Sequence, residues 1–219
     1  MTITWIKRAV CTAAVGVGAL AASPAQAALI SLSDSFSPVR QVDDSAATTS
    51  LFVAGAGGSI TDVNVFIDFT KCDDPISDDG TCIGGSTPFN DEIVFRLIHD
   101  GTTVNLVEED YYFQGTSGAR VGVTFDDAAA LVVGGNLVSG TFQPVGSLAV
   151  FNGLSGLALN GSWTLWYEDT VDLDPLTLNA WRLDITTTDP VPEPATLLLL
   201  GTGLALAGAR RWKSSKQRA

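Results

Sequence analysis

The chain has 219 residues, of which 24 are aspartate or glutamate, 12 are lysine or arginine and one is histidine. Residues 28–191 hold 23 of the acidic residues and five of the basic ones, so this part carries a formal charge of −18. A surface of that charge repels nucleic acid and anionic membranes, which excludes nucleic acid as a partner. The same stretch is long enough for one domain with its own core.

Residues 1–27 have the layout of a secretory signal peptide. Lys7 and Arg8 precede an apolar run over residues 9–22, and the small-x-small sequence AQA follows at residues 25–27. An N-terminal membrane anchor is the alternative, but the run is short and ends in a processing site. We therefore expect cleavage after Ala27 and a body that lies outside the cytoplasm.

Alternation of apolar and polar residues predicts several short β-strands in the body. The clearest is residues 60–69, where an apolar residue occupies every second position from Val63 to Phe69. Asp100-Gly101 is a hairpin signal between predicted strands at 92–99 and 102–107. The other predicted strands are residues 121–125, 147–151, 162–167 and 179–187, together with a first edge strand that includes Phe36 and Val39.

Helix is predicted in the body only as one short turn at residues 126–131, where Asp126 or Asp127 would cap three alanines. Many short strands between turn signals favour an all-β fold, a β-sandwich. We assign residues 28–190 to this domain. It would lie between the signal peptide and a C-terminal segment, residues 191–219.

Two cysteines, Cys72 and Cys82, remain in the body once Cys11 leaves with the signal peptide. An even pair in an exported protein predicts a disulfide, here one that closes a local loop. A zinc site is disfavoured because the sequence has no CxxC motif and His99 is its one histidine.

Clustered carboxylates make calcium the candidate cofactor, because calcium takes six to eight oxygen ligands. One group surrounds the loop after residue 70, and a second lies near residue 170. The candidate ligands are Asp68, Asp73, Asp74, Asp78, Asp79 and Asp91 in the first group and Asp169, Asp172 and Asp174 in the second. The spacing matches no EF-hand. A solvated acidic loop without metal is an equally weighted alternative.

Catalytic signatures are weak in this sequence. His99 ends a predicted strand, no GxSxG nucleophile motif accompanies it, and we expect a surface histidine. Carboxylate pairs suited to a glycosidase occur by chance in so acidic a chain. The aromatic side chains of Tyr111, Tyr112, Phe113 and Trp166 would stack on sugars or fill the core and its rim. We therefore expect a non-enzymatic protein.

Three stretches, residues 59–70, 121–129 and 151–185, together resemble the P domain that follows the subtilisin-type catalytic domain of proprotein convertases. The motif residues are Asn160, Gly161, Trp163 and Leu165, then Leu178, Trp181 and Leu183. The resemblance covers residues 59–187 and implies a jelly-roll-like β-sandwich that stabilises a neighbour or binds a partner surface. The two tryptophans would then stack in one core. The loop sequence Asp172-Leu173-Asp174-Pro175 departs from the family, which has glycine near the turn.

The C-terminal segment consists of three blocks in order. These are the triplet Pro192, Glu193 and Pro194, the uncharged residues 195–209, and a basic end that begins with Arg210, Arg211 and Lys213. The uncharged run is short for a spanning helix, which needs about 20 residues. The basic end reads as a cytoplasmic stop. A simple C-terminal membrane anchor is one interpretation.

The three blocks together resemble the PEP-CTERM signal of Gram-negative bacteria. That resemblance implies a hydrophobic helix at 195–209 and recognition by an exosortase in the inner membrane. The exosortase would cut near the triplet and release the body or pass it to the surface. It further implies an association with exopolysaccharide or surface proteins. We therefore expect an exported protein of the cell surface or extracellular matrix. A calcium-dependent module that binds glycan or protein is the alternative.

Overall fold

The computed structural model describes residues 27–73, 76–83, 87–114 and 118–188 of the chain. Strands dominate this part, which confirms the all-β prediction. In chain order they are β1 (Ala27–Val42), β2 (Ser45–Val53), β3 (Ile60–Lys71), β4 (Ile93–His99), β5 (Thr102–Val107), β6 (Ala119–Phe125), β7 (Gly140–Phe142), β8 (Gly161–Asp169) and β9 (Leu176–Thr188). Short 3-10 helices occupy Asn90–Glu92, Leu148–Phe151 and Gly156–Ala158.

The strands form two sheets that pack face to face. One sheet has the order β1-β9-β3-β6-β7 and the other the order β2-β8-β4-β5. Neighbouring strands are antiparallel, except that β6 and β7 are parallel. Phe69 of β3 and Phe95 of β4 meet edge to face with ring centroids 4.9 Å apart. This contact joins the two sheets in one hydrophobic core, which is the arrangement of a β-sandwich.

Sequence alternation directs side chains into this core as predicted. On β3, Val65, Ile67 and Phe69 are fully buried, while Asn64 and Phe66 point to the other face and are half-buried. On β9, the buried residues Trp181, Leu183 and Ile185 repeat the pattern. Successive side chains of a strand lie on opposite faces of the sheet, so one face of each sheet is apolar.

The two tryptophans of the P-domain-like motif are both fully buried, but they do not form the predicted pair. Trp163 lies on β8 and Trp181 on β9, and these strands belong to opposite sheets rather than to neighbouring positions of one sheet. Trp163 instead stacks on His99, with ring centroids 3.8 Å apart. The expectation that both fill one core is confirmed, and the expectation that they stack is wrong.

Residues 147–151 were expected to form a strand, and the structure corrects this. Leu148–Phe151 is a 3-10 helix, and the Ala149 backbone N–H donates to the Ser147 hydroxyl, 3.2 Å away. Leu148 and Phe151 are both buried. A spacing of three residues brings both side chains to one side of a 3-10 turn, so the same apolar residues fit a helical turn as well as a strand.

The helical turn predicted at residues 126–131 is also wrong. Asp126 accepts a hydrogen bond from the Ala128 N–H at 2.7 Å, as a cap would, but the chain then turns away. The Ala129 carbonyl accepts from the Gln143 side chain at 2.7 Å, and the Leu131 carbonyl accepts from the Gln143 N–H at 2.6 Å. These carbonyls therefore bond to residue 143 instead of to a following helical turn.

The two ends of the folded body meet at one end of the sandwich, which we call the Thr188 end. Ala27 of β1 pairs with Thr188 of β9, and the predicted edge strand with Phe36 and Val39 is confirmed as β1. The Thr188 N–H donates to the Ser59 carbonyl at 2.9 Å, and the Ser59 N–H donates to the Thr188 hydroxyl at 3.0 Å. Lys71, the last residue of β3, lies at the opposite end of the sandwich, the Lys71 end.

Within residues 27–73, 76–83, 87–114 and 118–188, no helix is long and apolar enough to cross a membrane. The predicted hydrophobic helix at 195–209 lies outside the described residues. So do residues 1–26 of the predicted signal peptide, the PEP triplet and the basic end.

A disulfide joins Cys72 to Cys82 at the Lys71 end, as predicted, with the two Cα atoms 5.7 Å apart. We expect the double variant Cys72→Ser/Cys82→Ser to lose roughly 2–3 kcal/mol of unfolding free energy, because the open loop gains entropy when unfolded. Urea unfolding measures the loss. A reducing agent should destabilise the natural protein and leave the double variant unchanged. Equal midpoints for natural protein and variant would contradict this expectation.

Candidate functional site

The most unusual group of side chains is a buried lysine surrounded by three carboxylates. The Lys71 ammonium lies 2.9 and 2.8 Å from the two carboxylate oxygens of Asp169 and 3.0 Å from Glu92 Oε2. Asp174 Oδ2 is 3.5 Å away. We call these four residues the Lys71 cluster. Its formal charge is negative, because one cation faces three acids.

Four different elements contribute to the Lys71 cluster. Lys71 ends β3 in one sheet, and Asp169 ends β8 in the other. Glu92 ends the 3-10 helix before β4, and Asp174 belongs to the loop before β9, where its carboxylate accepts a hydrogen bond from the Phe89 N–H. The side chains of Lys71 and Asp169 have no exposed surface, and those of Glu92 and Asp174 have 9% and 4%.

Burial governs the protonation of this cluster. It raises the pKa of Asp169 to about 7, against the opposing attraction of Lys71, because a carboxylate loses its hydration in the interior. Burial likewise raises the pKa of Glu92. Burial acts to lower the pKa of Lys71, but hydrogen bonds and charge attraction from the three acids outweigh it, so this pKa is raised. The cluster thus favours the charged form of Lys71, whereas burial favours the neutral forms of Asp169 and Glu92.

Sequence reasoning placed two of these acids among calcium ligands and missed Lys71 and Glu92. One signal could have found the lysine, since Lys71 is the only lysine among residues 28–191 and directly continues the apolar alternation of a strand. Lysine at the end of such a strand is either a solvated edge residue or a buried partner of acids. Whether the lysine is solvated or buried depends on how the β2-β8-β4-β5 sheet packs over it.

The other predicted calcium ligands are separated in the structure. Asp68 forms a two-pronged ion pair with Arg120, whose Nε and Nη2 lie 2.9 and 2.8 Å from its two oxygens. Asn179 donates to the same carboxylate at 3.1 Å. Arg120 also donates from Nη1 to the Asp79 carbonyl at 2.9 Å. Asp68 is therefore bound to a cation of the protein itself.

The remaining acids have separate surroundings. Asp78 and Asp79 are exposed in the disulfide loop, where hydrogen bonds from Ser77 and then Thr81 lower the pKa of Asp79. Asp91 accepts from Gln114 at 2.6 Å. Burial, followed by the charge of Asp172, raises the pKa of Asp43. Asp73 is half-buried, and Asp74 lies outside the described residues. In the part of the chain described, no three acids, histidines or cysteines are arranged to hold a metal. Calcium binding stays a prediction.

His99 is buried rather than exposed, which corrects the expectation of a surface histidine. Only 3% of the residue is accessible, and its ring lies parallel to Trp163. The ring nitrogens Nδ1 and Nε2 lie 3.0 and 2.7 Å from the carbonyl oxygens of Ser162 and Ala158. His99 thus connects the end of β4 to the start of β8 and to the 3-10 helix that precedes β8. Its contacts are those of a structural residue in the core.

We expect His99→Ala to lower the free energy of unfolding by about 2–4 kcal/mol, because it removes a buried ring and its polar contacts with two carbonyl oxygens. His99→Phe keeps a ring on Trp163 and should lose only about 1–2 kcal/mol. Urea unfolding followed by tryptophan fluorescence compares the two. Equal losses in both variants would show that the ring contact contributes little.

The four aromatic residues proposed for sugar stacking divide between core and surface. Tyr112 is buried, and burial raises the pKa of its hydroxyl. Tyr111 and Trp166 are half-buried, with the Arg96 guanidinium 5.8 Å from the Trp166 ring centre. Phe113 is 62% exposed. Of the four, one therefore lies in the core, two are half-buried and one is exposed.

Comparison with known proteins identifies the C-terminal segment. The family model for the PEP-CTERM protein-sorting motif matches residues 190–211. This confirms the sorting motif with its triplet, Pro192, Glu193 and Pro194, and its first basic residues, Arg210 and Arg211. The chain therefore carries the signal of an extracellular protein that is sorted by an exosortase, a membrane protein. Its precursor transits the membrane and is processed at the C-terminus.

The comparisons for the rest of the chain give a weak structural likeness. No curated protein matches the chain. Among the solved structures, one match is a chain of the complex between the Aeromonas sobria serine protease (ASP) and the chaperone (ORF2), with 12% identity and a TM-score of 0.36. The match covers 74% of this chain and 28% of that one, so this chain spans about a quarter of the length of its structural match. A likeness at this level does not confirm the P-domain resemblance, which stays a prediction.

Proposed function

We propose that this chain is the precursor of an exported, non-enzymatic protein of the cell surface or extracellular matrix. In this proposal residues 1–27 direct export and residues 191–219 are removed by an exosortase. The mature protein is the β-sandwich of residues 28–190, with jelly-roll-like connections. The PEP-CTERM motif at residues 190–211 is the observation that carries the proposal.

Two features of the body support an extracellular role. A disulfide closes the loop at the Lys71 end, and disulfides persist in oxidising compartments. The formal charge of −18 on residues 28–191 keeps such a domain soluble and apart from anionic membranes. We further propose that the body works among exopolysaccharide or other surface proteins, as the resemblance of its tail implies.

Intact mass of the protein recovered from cells and from medium tests the processing. We expect the extracellular form to run from Ala28 to near Pro192. The variant Pro192→Ala/Pro194→Ala should keep the tail and stay with the membrane. Arg218→Ala is the matched control, because residue 218 lies outside the matched motif. An extracellular form that retains residues 195–219 would make the chain a plain anchored protein and refute the sorting proposal.

The calcium-dependent binding module remains the alternative proposal. The exposed carboxylates of Asp78 and Asp79 beside the disulfide are where a cation would find accessible oxygens. Binding of the secreted body to a glycan array, compared with and without a chelator, distinguishes the two. Binding that a chelator abolishes favours the module. The same binding with chelator present would favour the matrix protein without calcium.

A further inference from the structure

The Lys71 amine and the Asp169 carboxyl group face each other across the two sheets in a dry part of the core. Lys71 Nζ is within 2.9 Å of both Asp169 oxygens, and neither side chain is accessible to solvent. Both oxygens flank the carboxyl carbon Cγ, so the nitrogen also lies close to that carbon. Reacting groups held this close, without water between them, have already lost the entropy that a reaction in solution must spend.

We propose that Lys71 and Asp169 condense to an intramolecular amide bond that joins the two sheets of the sandwich. Nζ of Lys71 attacks Cγ of Asp169, and one Cγ–Oδ bond breaks. The ammonium group carries three hydrogens, of which one stays on the amide nitrogen. The other two leave with the departing oxygen as water. No oxidation state changes, and no cofactor or outside reagent is needed.

Glu92 is placed to move the protons in this step. Its Oε2 lies 3.0 Å from Nζ, and Ile93, the next residue, pairs with Asp169 in the sheet. An amine attacks only after losing a proton, and the raised pKa of Lys71 means that a base must take that proton. The pKa of Glu92, raised by burial, suits it to accept the proton from Nζ and to pass it to the leaving oxygen.

Asp169 is the better electrophile of the two aspartates in the cluster. Burial raises its pKa to about 7, so the Asp169 carboxylate readily takes up a proton that Glu92 passes on from Nζ, and water can leave from the neutral carboxyl group formed in this way. In the part of the chain that the structure describes, Lys71 donates every side-chain hydrogen bond that Asp169 accepts. Asp174 is farther from Nζ, at 3.5 Å, and its nearer oxygen is held by the Phe89 N–H.

The bond would add a second covalent link beside the disulfide. Cys72 follows Lys71 directly, and its partner Cys82 ties the loop after β3. The disulfide closes a local loop, whereas a Lys71–Asp169 amide would connect residues 98 positions apart and on different sheets. A link between distant residues restricts the unfolded chain more than a local one does. An amide also resists the reducing agents that open a disulfide.

Mass spectrometry of the purified, reduced protein tests this proposal. We expect the natural protein to be lighter than its sequence by one water molecule. After trypsin, Lys71 should resist cleavage, and the peptide of residues 41–96 should remain joined to that of residues 121–182. Full mass together with complete cleavage after Lys71 would overturn the proposal. The peptide map does not depend on how either terminus is processed, so it is independent of the proposed sorting.

Three variants locate the reacting groups. Asp169→Ala and Glu92→Gln should both have full mass, the first because the electrophile is gone and the second because the proton carrier is gone. Asp174→Asn should still lose one water molecule and still join the two peptides. Water loss that persists in Asp169→Ala and disappears in Asp174→Asn would refute the assignment to Asp169. A variant that folds poorly would lower the yield of that variant. The mass of the natural protein does not depend on the variants, so it tests the amide bond by itself.

Discussion

Replacing Lys71 by methionine is expected to lower the free energy of unfolding by about 3–5 kcal/mol relative to the natural protein in which Lys71 and Asp169 are still an ion pair and not an amide. Methionine fills nearly the same space, so the loss comes from charge rather than from a cavity. Three carboxylates would remain in the interior without a cation, and the Asp169 side chain has no exposed surface, while those of Glu92 and Asp174 have 9% and 4%. Removing one partner of a buried ion pair is costly because the remaining charge stays buried, with neither water nor an opposite charge to stabilise it. Urea unfolding at constant pH measures the change.

Arg120→Met is the matched control for this substitution. Arg120 also loses an ion pair, with Asp68 at 2.8 Å, but its side chain is 46% exposed and that of Asp68 22%. Water replaces the lost partner, so we expect a change of about 1 kcal/mol or less. If both variants lose the same stability, burial is not what makes the Lys71 cluster important. If Lys71→Met is as stable as the natural protein, the Lys71 cation does not stabilise the buried carboxylates.

Gly58→Ala is expected to cost about 3 kcal/mol or more and to loosen the Thr188 end. A Cβ at residue 58 would lie 1.5 Å from the Thr188 carbonyl oxygen, which is a full overlap with backbone. The φ angle of +76° adds about 1–2 kcal/mol for any side chain with a Cβ. Relief of the overlap must separate the loop from β9. That separation would break the two hydrogen bonds between Ser59 and Thr188, at about 1 kcal/mol each.

Gly55→Ala separates the two causes, because Gly55 has a similar φ of +67° but no atom within 4 Å of an added Cβ. It should lose only the conformational part, about 1–2 kcal/mol. Hydrogen exchange at the Thr188 N–H gives a local measurement beside the unfolding midpoint. We expect faster exchange in Gly58→Ala and unchanged exchange in Gly55→Ala. Identical behaviour of the two variants would mean that the close approach is relieved at no cost.

Strands with one buried face were predictable from the sequence, and segments without such a face were not. The strand now seen at Ile60–Lys71 follows from the period-two pattern, which selects one conformation. Much of β1 and β2 is polar, because they are edge strands whose hydrogen bonds come from β9 and β8. The predictions for residues 126–131 and 147–151 failed for a related reason, since their conformation depends on partners outside each segment. Gln143 bonds to the first segment and Asp127 to the second.

The C-terminal sorting motif could be interpreted from sequence alone, whereas the Lys71 cluster could not. The PEP-CTERM signal is a continuous motif, so all of its residues appear together in the sequence. The cluster unites residues 71, 92, 169 and 174, and its three acids are among the 24 aspartates and glutamates of the chain. Which of them is buried beside the lysine depends on the packing of one sheet against the other. The burial of His99 could not be predicted for the same reason, because stacking on Trp163 requires the pairing of β4 with β8.

The pairing of Ala28 with Thr187, close to the two ends of the body, determines how the body would respond to tension. If the chain were pulled outward through β1 and β9 together, the load would fall first on this one residue pair. The antiparallel strands would then peel apart pair by pair, and each step would break only one or two hydrogen bonds. A pull through the C-terminal strand alone, against a body held elsewhere, would instead load β9 along its length between β1 and β3. Such a pull would have to shear many hydrogen bonds at once, which makes a single point of attachment mechanically the stronger arrangement.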